Sequence, residues 1–259
     1  MGGNGTKSAQ VNFDCWWPIV KADTFPDGEG IFETILTLQG VPQLIAEHIQ
    51  RARDTAATLG WKFATDQEIT SIVTALVSSS PSTSSLGRLR LIFTQDGLVD
   101  GIHASYERWS KPAKLTLSSR TIDETLPLVG MKVLPYRENI EILEGAQRSG
   151  FDDVIRLNTK EEVVETSIAN LFLKVSGEWI TPPKNAGLLP GIIRAIALEC
   201  ALVEENRLEA KDLHLVESIF LVNSLKGFQP VERLDARSLS IDRDFSKIIA
   251  SLPQFRSVG

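Results

Sequence analysis

Lys132 stands in GMKVLPYREN (130–139) among hydrophobic and backbone-restricting neighbours rather than in a charged run. Lysines are most often solvated. One held in a partly apolar pocket has its charged form disfavoured, and its amine becomes a nucleophile near neutral pH. Glu165 opens ETSIANLF (165–172), a stretch otherwise of small and apolar residues. A carboxylate partly removed from water needs a cation or a donor, or it protonates. Two readings stay open for it: an edge-strand glutamate facing solvent, or a carboxylate held against a protonated ring nitrogen. In AGLLPGIIRAI, Pro190-Gly191 precede a helical pattern, so the N–H groups of Ile192 and Ile193 point out of a helix N-terminus. Unpaired donors and the helix dipole both favour a phosphate there, although many such helix starts bind nothing.

His48, Arg51 and Thr55 fall at i, i+3 and i+7 of a helical segment and share one face. Arg51 is either solvated or, with an anion site opposite, a planar fork suited to phosphate. In VNSLKGFQPV (222–231), Ser224 offers a hydroxyl and neighbouring N–H groups, or is simply the exit of a strand.

The elements that must position these groups follow from periodicity. Residues 30–39 alternate as a strand, turn at Gly40-Val41-Pro42 and lead into a helix ending at Gly60. A second helix starts near Asp66, with Thr65 or Asp66 as cap and Glu68 in its first turn, and stops in the loop SSSPSTSS (78–85). RLRLIFTQ (88–95) and KLTLSS (114–119) read as strands. The aperiodic YERWSKPA (106–113) between them reads as a linker. The expected organisation is a small N-terminal domain over 1–105, that linker, and a larger domain over 114–259. In the second half we expect a helix over 137–149, four strands between 152 and 182, a long helix over 192–207 and a last strand at SIFLVNS. Strands mixed with helices in this order indicate two α/β subdomains.

Composition narrows the partners. The chain has 259 residues, 42% hydrophobic, and a formal net charge of -6. That balance argues against a general grip on nucleic acid or an anionic membrane. No apolar run approaches the roughly 20 residues of a membrane span, and the polar start MGGNGTKSAQ lacks the apolar core of a signal peptide. The expectation is a cytoplasmic protein. Cys15 and Cys200 lie far apart and form no CxxC pair, so no disulfide framework or zinc site is expected, and each reads as a buried small hydrophobe. Trp16 and Trp17 read as core or interface aromatics. His103 and His214, read as loop residues, receive no role.

Taken in order, these segments resemble the class IV aminotransferases, the fold type IV pyridoxal-phosphate enzymes. DGEGIFET (27–34) is similar to the family's opening motif, AEHIQRARDTAATLG (46–60) to its H-x-x-R helix, and residues 151–183 to its most recognisable block; LLPGIIR resembles its phosphate turn and VNSLKGFQPV its last active-site strand. The resemblance runs from about residue 27 to 232 and implies an α/β (α+β) fold of two domains, the larger a pseudo-barrel, with the cofactor between them. It implies a homodimer acting on a small-molecule amine, and pyridoxal 5'-phosphate bound covalently through Lys132, which then moves protons on the substrate. Glu165 would keep the pyridine nitrogen protonated. Arg51, Ile192, Ile193 and the Ser224-Leu225 pair would hold the phosphate, and Tyr136 would lie near the ring's phenolic oxygen.

Within the family, FET (32–34) and NSL-x-G-x-x-PV are most similar to aminodeoxychorismate lyases, which release pyruvate from 4-amino-4-deoxychorismate and yield 4-aminobenzoate for folate synthesis. Thr34 matches a cofactor-facing threonine of those lyases. Arg88 and Arg90 share one face of an alternating strand and suit a substrate with two carboxylates. Three departures concern the substrate: Gln95-Asp96-Gly97 replaces an arginine-glycine, VDGIH offers no second arginine, and ADTFPDGEG lacks the common DRG. The alternatives are a transaminase for a D-amino acid, a branched-chain amino acid or a chiral amine, and a family member that has lost catalysis. RLRLIF lacks the Arg-x-His of D-amino-acid transaminases, and VNSLKG lacks the GT-rich strand of branched-chain ones.

Overall fold

A computed structural model describes residues 29–79 and 85–252. Cys15, Trp16, Trp17 and most of the SSSPSTSS loop lie outside the described residues. Strand β1 (Gly30–Leu38) turns through Gln39 and Gly40 into β2 (Val41–Pro42). Both turn residues have positive φ, 49° and 79°, the mirror-image turn that follows the twist of the strands. Helix α1 (Ile45–Leu59) ends at Gly60 in the left-handed region, whose N–H closes onto the carbonyls of Ala56 and Ala57. Helix α2 (Asp66–Ser79) opens with a reciprocal cap: Glu68 N–H donates to Thr65 Oγ1, and Thr65 N–H to Glu68 Oε2. With β3 (Leu86–Phe93) and β4 (Val99–Ser105), these strands form an antiparallel sheet in the order β2-β1-β3-β4.

Alternation divides β1 between two neighbours. Ile31 and Ile35 join Leu89, Leu91 and the apolar faces of α1 and α2 in one core. Phe32 and Leu36, one residue out of phase, point to the other side. There Phe32 packs with Leu134 and Ile140, and Leu36 joins Phe172, Ile193 and Phe220.

The chain continues through β5 (Ala113–Leu117), β6 (Val133–Leu134), α3 (Arg137–Arg148), β7 (Asp153–Leu157), β8 (Val163–Thr166), β9 (Asn170–Val175) and β10 (Glu178–Thr181). Helix α4 (Ile192–Glu199) and β11 (Glu204–Glu205) precede β12 (Val216–Asn223), β13 (Gly227–Leu234), β14 (Arg237–Ser238) and α5 (Arg243–Ser251). A nine-stranded sheet runs β11-β10-β9-β12-β13-β5-β7-β8, with β14 on β13. The short β6 instead pairs with the start of β1, Val133 opposite Ile31, which ties the segment carrying Lys132 to the first sheet. The fold is mixed α/β, as expected.

Four local expectations change. The helix expected over 192–207 stops at Glu199 because Val203, 3% exposed, turns into the core beside Phe172 and Phe220, and Glu204–Glu205 pair with Ile180–Thr181. VDGIH lies in β4 rather than in a loop, and His103 there contacts Thr37 Oγ1 at 2.8 Å. SIFLVNS is followed by another strand, β13, then by β14 and α5. Cys200 caps α4 at its C-terminal end and is only partly buried rather than a core residue.

Candidate active site

All the residues singled out as catalytic, cofactor-binding or substrate-binding line one cleft of about 970 Å³, measured with its open mouth. It lies where the outward face of β1 and β3 meets α4, the β8–β9 turn and the β12–β13 turn. That size and its largely apolar walls suit a small-molecule site.

Lys132 reaches the cleft from the loop ahead of β6. Its own carbonyl accepts the Phe32 N–H at 3.0 Å, which fixes the loop to β1. Gly130, two residues earlier, has φ 79°, and a side chain there would also crowd the Leu188 carbonyl. The ammonium nitrogen lies 4.4 Å from the centre of the Phe32 ring and 5.2 Å from that of Tyr136. Burial, then the nearby Arg51, pull its pKa down to about 7. Glu165 faces the cleft from β8, and burial pushes its carboxyl up to about 8 despite the Leu189 N–H donating to it at 3.2 Å. Asn170 Nδ2 donates to the same oxygen at 3.1 Å. The solvent-facing reading of Glu165 is therefore replaced by the pocket-facing one.

Tyr136 donates its hydroxyl to the Ser167 carbonyl at 3.1 Å, and burial holds its pKa well above the usual phenol range. It is a protonated phenol at working pH.

Arg51 projects from α1 between two elements. Its Nε and Nη2 form a fork on Glu33, at 2.8 and 2.6 Å, while Nη1 donates to the Pro190 carbonyl at 3.1 Å. A guanidinium has five N–H groups, so one on each terminal nitrogen is left to face an anion. The first intrahelical bond of α4 is Ala195 N–H to Gly191 O, so the N–H groups of Ile192 and Ile193 precede the helical ladder at the cleft. Ser224 lines the cleft as expected, whereas the Leu225 N–H is already given to Asn223 Oδ1 at 3.0 Å. Leu225 thus contributes position rather than its own donor.

Across the cleft, register decides the substrate side. Thr34 pairs with Arg90 and Leu36 with Arg88, so Thr34 and both guanidiniums share the outward face. Burial lowers the pKa of Arg88, and burial together with Arg88 brings Arg90 down to about 9. Both remain cations at neutral pH.

Sequence reading gave no role to Glu33, which is fully buried. Its parity with Ile31 and Ile35 puts a carboxylate on the face of β1 that packs against α1, and that parity was the available signal. His48 Nδ1 lies 2.6 Å from Glu33 Oε2. Burial lowers the His48 pKa, and an ionised carboxylate only accepts, so Nδ1 carries the proton and donates. Burial alone would raise Glu33, but Arg51 and His48 outweigh it and bring the carboxyl down to about 2.

The folded-state pKa is depressed, so this stabilisation is complete above the ordinary value of 4.5 and is lost as pH falls toward about 2. The shift corresponds to about 3 kcal/mol. Glu33→Gln is expected to destabilise the protein by about that much at pH 7 and to flatten the acid limb of thermal stability between pH 4.5 and 2. Melting curves of both proteins across that range test it; parallel acid limbs would assign the effect elsewhere.

Comparison with known proteins identifies the family. The family model for amino-transferase class IV matches residues 30–234. A Mycobacterium tuberculosis protein named "Bifunctional aminodeoxychorismate lyase / D-amino acid transaminase" is 26% identical over 86% of this chain and 88% of its own. A "Putative branched-chain-amino-acid aminotransferase" of Methanocaldococcus jannaschii is 24% identical over 82% of this chain and 81% of its own. The solved "Putative 4-amino-4-deoxychorismate lyase" of Legionella pneumophila superposes with a TM-score of 0.78 at 26% identity, covering 86% of this chain and 90% of that one. The match spans every residue that lines the cleft, and the chain belongs to the class IV aminotransferases, the fold type IV enzymes that work with pyridoxal 5'-phosphate.

Proposed function

We propose that this enzyme is a pyridoxal-phosphate-dependent lyase that cleaves 4-amino-4-deoxychorismate to 4-aminobenzoate and pyruvate. The observation that carries the proposal is the pair Arg88 and Arg90, which line the cleft on the same sheet face as Thr34 and in the same cleft as Lys132, because the substrate presents two carboxylates.

The residues fit the cofactor: a lysine of lowered pKa, a carboxylate in the same cleft, and a helix N-terminus beside Arg51. When bound, the cofactor supplies an electron sink for a carbon losing its proton. Lys132, whose pKa of about 7 leaves a large share of it neutral at that pH, would take the proton from the amine-bearing carbon; the electron pair released would expel the neighbouring enolpyruvyl group as enolpyruvate, which takes up a proton on its methylene carbon to become pyruvate, and the ring becomes aromatic. Glu165 holds the proton on the ring nitrogen. Arg51, the N–H groups of Ile192 and Ile193, and Ser224 hold the phosphate. Tyr136 keeps its own proton, donated to the Ser167 carbonyl, and lines the cleft beside Lys132.

A second reading is a transaminase for a D-amino acid, which would use the same Lys132, although RLRLIF lacks the Arg-x-His of D-amino-acid transaminases. The bifunctional name of the mycobacterial relative keeps it in view.

The test has two arms. Borohydride reduction after pyridoxal phosphate is added to the cofactor-free protein should leave an adduct on Lys132. The rate of capture should rise with pH through about 7, since the attacking amine must be neutral. Supplied with 4-amino-4-deoxychorismate, the enzyme should form 4-aminobenzoate and pyruvate in equal amounts without a keto acid. Amino transfer that requires a keto acid, with no pyruvate released, would replace the lyase by the transaminase.

A further inference from the structure

We infer that Asn170 is a positioning residue that joins the two ends of the cofactor site into one unit, so that filling either end strengthens the other. The inference rests on the cofactor reading above.

Asn170 opens β9, is 4% exposed, and has no counterpart among the residues assigned a chemical task. Its Nδ2 has two hydrogens. One goes to Glu165 Oε2 at 3.1 Å, the other to the Leu189 carbonyl at 2.9 Å. The Leu189 N–H closes the ring by donating to the same Glu165 oxygen at 3.2 Å. Leu189, which opens the Leu189-Pro190-Gly191 turn, is therefore held through both its carbonyl, by Asn170, and its N–H, by Glu165. The next carbonyl, that of Pro190, is held by Arg51 at 3.1 Å.

Gly191 shows how closely the pieces fit. A Cβ on it would collide with Asn170 Oδ1, so the turn lies directly against the amide. The residue after that glycine is Ile192, whose N–H opens the anion-facing end of α4. Glu165, at the ring-nitrogen end, and the α4 N-terminus, at the phosphate end, are thus clamped to the same three-residue turn, and the amide of Asn170 is the clamp. A ligand that orders the turn at one end pre-pays the ordering for the other. Such coupling is reciprocal by thermodynamic necessity.

The measurement separates the two ends. Full-length protein freed of cofactor, and checked for a cooperative thermal transition, is titrated with pyridoxal in the presence and absence of inorganic phosphate, and with phosphate in the presence and absence of pyridoxal. Pyridoxal lacks the phosphate group, so each probe fills one end. In the parent protein each probe should tighten the other by about fivefold or more, by the same factor in both directions. Asn170→Ala should bring that factor to within about twofold of unity while both probes still bind. Asn170→Ser serves the same purpose if the alanine variant does not fold. A merely structural asparagine would lower the melting temperature or both affinities and leave the factor unchanged, and that result overturns the inference. So does the absence of coupling in the parent protein. Failure of the underlying reading is seen separately, as no borohydride adduct on Lys132 in the parent protein with pyridoxal phosphate.

Discussion

Lys132→Ala is expected to lose turnover by on the order of 10⁴-fold or more, because it removes both the covalent anchor and the base that moves the substrate proton. The loss should not come from unfolding. Burial pulls the lysine pKa from 10.5 down to about 7, so folding disfavours its charged form. By linkage, such a group destabilises the cofactor-free protein progressively as pH falls from 10.5 through 7. The alanine variant escapes that penalty, and its melting temperature without cofactor at pH 6 should equal or exceed that of the parent. Product assays and thermal melts on the same preparations test the pair of expectations. A variant that folds and turns over at the parental rate would remove Lys132 from the chemistry.

Much of the site was legible because its signals are local. An amine with no charged neighbours, a Pro-Gly ahead of a helix, and an arginine on a helix face with His48 are all visible within ten residues, and each of them lines the cleft or its supporting shell. Register also carried over: Arg88 and Arg90 were expected on one face and both line the cleft.

The parts that were missed depend on contacts remote in sequence. Glu33 shares the inward parity of Ile31 and Ile35, but its partners Arg51 and His48 come from α1, 18 and 15 residues away, and only the packing of that helix supplies them. Asn170 looks like any strand-opening residue until the turn 19 residues later folds against it. Strand β13 was hidden by Pro230, which lacks an N–H and argues against an interior strand. It is tolerated because pairing with β5 begins only at Val231, so the proline lies beyond the end of that ladder while its other edge still runs along β12 opposite Phe220. The helix expected to reach 207 failed for a related reason. Its apolar pattern continued, but burial of Val203 and pairing with β10 won over helical continuation.

Glu165→Gln is expected to lower kcat by about 10²–10³-fold, the scale on which a single well-placed electrostatic partner acts in a dry site. Glutamine keeps the shape and can still accept from the Leu189 N–H and Asn170, so the turn should survive. What it cannot do is carry the negative charge that keeps a proton on the ring nitrogen. The direction of the Glu165 pKa supports this division. Burial raises the carboxyl from 4.5 to about 8, so in the cofactor-free protein it is protonated at neutral pH; its contribution to stability is complete below 4.5 and is lost as pH rises through 8. Glu165→Gln should therefore remove a decline in cofactor-free stability between pH 4.5 and 8 while costing activity across the whole range. Lys132 shifts the opposite way, down to about 7, for the same reason of burial. The two groups thus approach neutrality together, each awaiting a partner of opposite need: the amine a carbonyl carbon, the carboxylate a cationic nitrogen. kcat measured at saturating cofactor, with cofactor content quantified, decides it: a Glu165→Gln variant carrying full cofactor and retaining more than about a tenth of parental kcat would take the ring nitrogen away from Glu165.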